Sequence, residues 1–196
     1  MLQKYGNLPI KRIYLVRHPI TPFMETALNI VTLNKFKQEL NRYKMKNKAE
    51  SFFPFHTMLY VELKISKRES KFLLIDKNNC IRISPKVRMT NNYELRDIRI
   101  KKNKYTLNKI LETTRKRLGN DKFFNWELYK NNCQMLIKEI LLTVKKFTKI
   151  NKKFMYQNGF AKELKISEFS LHIIRSLTNV MNLLENIVGT AIWMPV

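Results

Sequence analysis

The segment HTMLYVELKI, His56 to Ile65, is followed by the polar tip SKRES and then by KFLLID. β-Branched and aromatic residues fill both flanks, so the pattern predicts two strands joined by a turn. This hairpin constrains the chain more than any other stretch, because a strand pair is stable only when further strands or helices cover its apolar face. Sequence leaves its register open. A shift of one residue moves Asp76 to the opposite face, and some registers place Cys80 across from His56.

The flanking segments supply the rest. IKRIYLVRHPI predicts a short strand from Ile10 to Val16, stopped by Pro19, with His18 in the loop before it. Thr21 followed by Pro22 is a helix start, with proline at the first helical position. FMETALNIV and NKFKQELNRYKMK carry apolar residues at three-to-four spacing, which gives two amphipathic helices or one broken near Thr32–Asn34. KNKAESFFPF reads as a loop. NN and CIRISP add a third short strand or a bent continuation of the hairpin. Residues 86 to 104 read as an exposed basic loop. TLNKILETTRKRLG is a helix closed by Gly119. YKNNCQMLIKEILL opens a helix with Asn132 as N-cap, and ISEFSLHIIRSLTNVMNLLENIVG is helical. No repeat or linker divides the chain. The expectation is one α+β domain over residues 1–196: a small antiparallel sheet packed on helices, with a core at about 10–160, extra terminal helices and a helical extension from 161.

Charge sets the partner classes. The 196 residues hold 38 Lys and Arg against 15 Asp and Glu, a net charge of +23. Such an excess attracts nucleic acid, anionic membrane or an acidic protein. Translation of an A/T-rich genome also enriches lysine and asparagine without selection for binding, and both explanations stay open. If the charge serves a polyanion, the contributors are Lys86, Arg88, Arg96, Arg99, Lys101, Lys102 and Lys104, with the Lys145–Lys153 segment. Cys80 and Cys133 are far apart and form no disulfide framework, so reduced thiols are expected. No signal peptide or membrane span is expected, and the chain is not expected to be secreted. His18, His56, Cys80, Cys133 and His172 are scattered without ligand spacing, so neither metal nor other cofactor is expected.

One cysteine stands out. Cys133 lies among amides, in NNCQ, where a helix begins. A free cysteine near pKa 8.5 is only about 3% thiolate at pH 7. A helix N-terminus, equivalent to roughly half a positive charge, raises that fraction, and so does an imidazole that pairs with the thiolate and later protonates the leaving group. His56, opening a strand, is the candidate base; His172, among Leu171, Ile173 and Ile174, reads as a packed helix histidine. Asp76 is either a third polar group that orients the imidazole or a turn residue heading DKNN. Cys80, in NCIRI, reads as a half-buried strand cysteine.

The order of helix pair, histidine-led strands and NNCQ helix resembles the circularly permuted NlpC-type branch of the papain-like superfamily. That branch includes lecithin:retinol acyltransferase relatives and many proteins of large eukaryotic DNA viruses. The matching pieces are RHPITPFMETALNIVTLNKFK, PFHTMLYVEL, LLIDKNN and FFNWELYKNNCQMLIKEIL, spanning most of residues 12 to 142, with QNGFAKEL consistent downstream. The resemblance implies a permuted papain-like α+β fold and a viral protein of the host cytoplasm or virion. It implies Cys133 as nucleophile, His56 as base and Asp76 near the third polar position. The chain departs in being far more basic than most members and in reading RHPI.

Two functions follow as expectations. In one, the protein is a thiol hydrolase or acyltransferase acting on a peptide, amide or lipid ester, with backbone N–H groups at the helix start, supported by Asn132 and Gln134, facing the oxyanion. In the other, it is an inactive basic virion protein that binds nucleic acid or anionic membrane, with aromatics in KFFNWELYK and NKKFMYQ available for stacking.

Overall fold

The structure is a computed structural model that describes residues 1–20, 22–46, 54–77, 80–85, 93–101, 103–126, 131–156 and 191–193. Its centre is an antiparallel sheet. β1 (Ile10–Pro19), β2 (Phe55–Lys64), β3 (Ser70–Lys77), β4 (Ile81–Ser84) and β5 (Glu94–Ile98) lie in the order β5-β1-β2-β3-β4, with β6 (Ala191–Trp193) beside β4. The fold class is α+β.

The β2–β3 hairpin forms where the sequence predicts it. Its SKRES tip is closed by Ile65 N–H donating to the Glu69 carbonyl at 3.0 Å, and Ser66 Oγ accepts from the N–H groups of Arg68 and Glu69. Two expectations need correction. β1 does not stop at Val16: His18 and Pro19 pair with His56 and Phe55, so His18 is a strand residue. A proline lacking its N–H is tolerated at a strand end, where no ladder bond is lost. Residues 94–98 are also a strand rather than loop, paired along β1 from Ile13–Ile98 to Arg17–Glu94. This is an edge strand whose charged, mostly exposed side chains protect it from further pairing, and that composition hides it from hydrophobic patterning.

α1 (Leu2–Tyr5) precedes the sheet, and α2 (Pro22–Val31) and α3 (Lys35–Lys46) follow β1. The break between α2 and α3 has a local cause. Leu33 and Asn34 take positive φ of 50° and 64°. Thr32 Oγ1 donates to the Leu28 carbonyl at 2.7 Å and accepts from Phe36 N–H at 3.0 Å, ending one helix and starting the next.

The main core lies where α4 (Leu107–Leu118) and α6 (Cys133–Thr143) cover one sheet face, flanked by α5 (Asn120–Phe124) and α7 (Lys149–Met155). Leu59, Val61, Leu73, Ile75 and Ile83 meet Ile110, Leu111, Leu136, Ile137 and Ile140 there. Each fully buried side chain of this size stabilises the fold by about 1.5–3 kcal/mol, so the sheet and the helix that begins at Cys133 are held as one packed unit. Thr106 caps α4 by accepting from Lys109 N–H, and Gly119 ends it at a φ of 77°, a left-handed value that favours glycine. The region of ISEFSLHIIRSLTNVMNLLENIVG, including His172, and QNGFAKEL lie outside the described residues. Among the described residues, no helix is long and apolar enough to cross a membrane.

Candidate active site

The site gathers at the end of the sheet where β2 begins and β3 finishes. His56 is the second residue of β2. The pairing of Leu59 with Ile75 sets the hairpin register, and it leaves Asp76 diagonal to His56 on the same side of the sheet, within side-chain reach. The His56 Nε2 bonds Asp76 Oδ1. A carboxylate can only accept, so Nε2 carries the proton, and Nδ1 is the ring nitrogen left for another partner. Asp76 is therefore not a turn residue but a strand residue, 2% exposed.

A second cation holds the other carboxylate oxygen. Arg82 stands directly opposite Asp76 in the β3–β4 ladder, and its Nη2 donates to Asp76 Oδ2 at 2.5 Å. Burial works against the Asp76 charge, but the charges and hydrogen bonds of His56 and Arg82 outweigh it and hold the carboxyl well below the usual range. Arg82 was invisible to sequence reading because the register was open. Once CIRIS is a strand, the alternation of Ile81, Arg82 and Ile83 puts Arg82 on the Asp76 side.

Cys133 opens α6 at the same sheet end. Asn132 is the N-cap, its side chain accepting from Met135 N–H at 3.2 Å. The thiol, on a residue 8% exposed, lies close enough to the His56 ring to act on its charge. Burial alone would lower the His56 pKa. The Asp76 carboxylate, bonded to the ring, and the neighbouring Cys133 sulfur reverse this and raise it well above its ordinary value. The structure thus brings together Cys133, His56 and Asp76 from three separate segments. Asn132 spends its side-chain oxygen on capping. With Met135 N–H capped, the N–H groups of Cys133 and Gln134 are first-turn donors that lack an intrahelical acceptor, and Gln134 is half-buried.

Further residues complete the surroundings. His18 faces His56 across β1 and β2, with ring centroids 5.6 Å apart, and stacks on Tyr93 at 4.7 Å. Its Nδ1 bonds the Pro19 carbonyl at 2.7 Å. Burial and the nearby positive charge of His56 lower its pKa, so as pH rises it gives up its proton before His56 does. Cys80 is half-buried just ahead of β4 and does not pair with His56; burial, with the Asp76 charge, pushes its thiol up against the opposing pull of Arg82. Among the described residues, no group of three or more His, Cys, Asp or Glu could hold a metal ion.

Of the basic candidates, Arg99, Lys101 and Lys104 are exposed. Arg96 is half-buried and its Nε donates to Asn151 Oδ1 at 2.8 Å, which engages one edge of its guanidinium in the fold. Lys86, Arg88 and Lys102 lie outside the described residues. Comparisons with protein-family models, with curated proteins and with solved structures each found no match to this chain.

Proposed function

We propose that the chain is a thiol-dependent hydrolase or acyltransferase, acting on an amide or ester through Cys133, His56 and Asp76 in a permuted papain-like, NlpC-type fold. One observation carries this reading: a single imidazole bonded to a buried carboxylate also neighbours a thiol that opens a helix. That is the nucleophile, base and orienter arrangement.

The chemistry follows from the geometry. With His56 protonated, Cys133 is stabilised as the thiolate. Its sulfur attacks the substrate carbonyl carbon, and the negative charge that develops on the carbonyl oxygen is met by first-turn N–H groups of α6. The tetrahedral centre collapses as His56 gives its proton to the departing nitrogen or oxygen, leaving a thioester on Cys133. Water or an acyl acceptor then attacks the thioester. His56 takes the proton of that nucleophile, the carbon–sulfur bond breaks, and the thiolate returns. Asp76 stays ionised throughout, held by Arg82, and fixes the tautomer and orientation of the ring.

The test is labelling with a panel of amide-, ester- and peptide-based electrophilic probes, a fluorophosphonate serving as negative control, followed by mass spectrometry of the adduct. The reading expects a probe-dependent adduct on Cys133 and none from the fluorophosphonate. Labelling of Cys80 alone, or of neither cysteine, would overturn it.

A second reading, polyanion binding with or without activity, is favoured by the Arg96–Asn151 hydrogen bond. It sets β5 against α7, so the exposed Arg99, Lys101 and Lys104 and the exposed Lys145, Lys149, Lys152 and Lys153 come from neighbouring elements. The partner in that reading is nucleic acid or an anionic membrane surface of a virion or host cell.

A further inference from the structure

We propose that Lys77 is a positioning residue for Cys133, tying the residue that precedes the α6 cap to the end of α5 so that the thiol meets His56. The inference rests on the catalytic reading above and names a part of the site that the triad alone leaves out.

Lys77 is the last residue of β3, immediately after Asp76. Strand alternation turns it to the side of Leu73 and Ile75, into the core, where it is 0% exposed. A buried amino group is costly unless it is hydrogen-bonded, and two bonds hold this one. Nζ donates to the Lys122 carbonyl in α5 at 2.7 Å and to Asn131 Oδ1 at 2.9 Å. Asn131 is itself buried, and its Nδ2 donates to the Asn125 carbonyl at 2.5 Å.

The consequence is a clamp. Lys77 grips α5 and Asn131, and Asn131 grips Asn125, so both ends of the connection from 125 to 131 are tied together and to the end of β3. Asn131 stands two residues before Cys133. The strand that delivers Asp76 to His56 therefore also delivers, one residue later, the tie that fixes where the nucleophile helix begins. Neighbouring residues of one strand, pointing to opposite sides, set the two partners of the imidazole.

The experiment measures the pH–rate profile for alkylation of Cys133 by iodoacetamide, the thiolate sulfur displacing iodide, with the adduct located by mass spectrometry. Lys77→Met keeps the apolar stem and removes the donors. Asn131→Ala removes the other half of the clamp. Ile75→Val loosens the core on the same side of the same strand and serves as the control for a merely structural effect. At about pH 6.5, Lys77→Met and Asn131→Ala should each slow alkylation by about tenfold or more, since a thiol that no longer meets the imidazole falls back to about 1% thiolate there. Both should move the profile toward that of an unassisted thiol, near pH 8.5, and the double variant should be no slower than the slower single one. Ile75→Val should leave the profile in place. Wild-type profiles in folded Lys77→Met or Asn131→Ala would overturn the proposal. Should Lys77→Met not fold, Asn131→Ala alone decides by the same criterion. Failure of the catalytic reading would appear earlier, as an ordinary thiol profile in the wild-type chain.

Discussion

Arg82 and Asp76 face each other across β3 and β4, with Nη2 donating to Oδ2 at 2.5 Å and both side chains largely buried. The carboxylate is thereby shared between an arginine that keeps it charged and a histidine that uses that charge. Breaking one half of a buried ion pair costs up to roughly 3–5 kcal/mol, and His56, which also bonds Asp76, compensates only part of the charge that Arg82 leaves. Arg82→Met should accordingly lower the urea midpoint by a destabilisation of that order. A loss under about 1 kcal/mol, the range of surface pairs, would mean the pair does not hold the site.

Asp76→Asn probes the other half. The Asp76 charge is one of the forces that raise the His56 pKa against burial, so its removal should lower that pKa. Titration of the His56 ring signals by NMR checks this directly. An unchanged midpoint would contradict the coupling.

Stability should follow pH with two opposite signs. His56 has its pKa raised on folding, so its contribution is complete below the unfolded value, about 6.5, and fades as pH rises through the folded one. Asp76 has its pKa depressed, so its contribution is complete above about 3.9 and fades as pH falls toward the folded value. Between those limits both are present. Urea unfolding of wild type against His56→Gln should show the wild-type advantage shrinking from pH 6.5 upward, and Asp76→Asn should be less acid-sensitive than wild type below about pH 4. A wild-type advantage over His56→Gln that grows above pH 6.5 would contradict the sign.

How much of this was readable beforehand depends on which interactions are local. The hairpin, the helix break at Thr32–Asn34, the Asn132 cap and the stop at Gly119 all arise from neighbours in sequence, and each stands where pattern and capping chemistry put it. Cys133 and His56 were legible for the same reason, as a helix-start thiol and a strand-start imidazole. What was not legible depends on register between strands. Asp76 read more readily as the head of a turn until β3 paired with β4, Arg82 had no assigned partner, and His18 looked like a loop residue because a proline follows it. Lys77 reads as one more lysine in a lysine-rich chain; only the core-facing side of β3 distinguishes it.

The charge makes its own prediction. If the exposed lysines and arginines of the β5 end and α7 bind a polyanion, affinity for duplex DNA or anionic vesicles should fall on the order of a thousandfold between 50 and 200 mM salt when six or more phosphates are contacted. Cys133→Ala should leave that affinity intact. A flat salt response would assign the net charge of +23 to genome composition instead.

The central claim is that His56 activates Cys133, and the most direct measurement is the alkylation rate of each cysteine at about pH 6.5, where an unassisted thiol is mostly protonated, in wild type and in His56→Ala. Cys80 serves as the internal reference, since burial and the Asp76 charge push its thiol up. The account predicts that Cys133 reacts well ahead of Cys80 in wild type and loses that lead in His56→Ala. Equal rates at the two cysteines, or a Cys133 rate that survives removal of the imidazole, would contradict it.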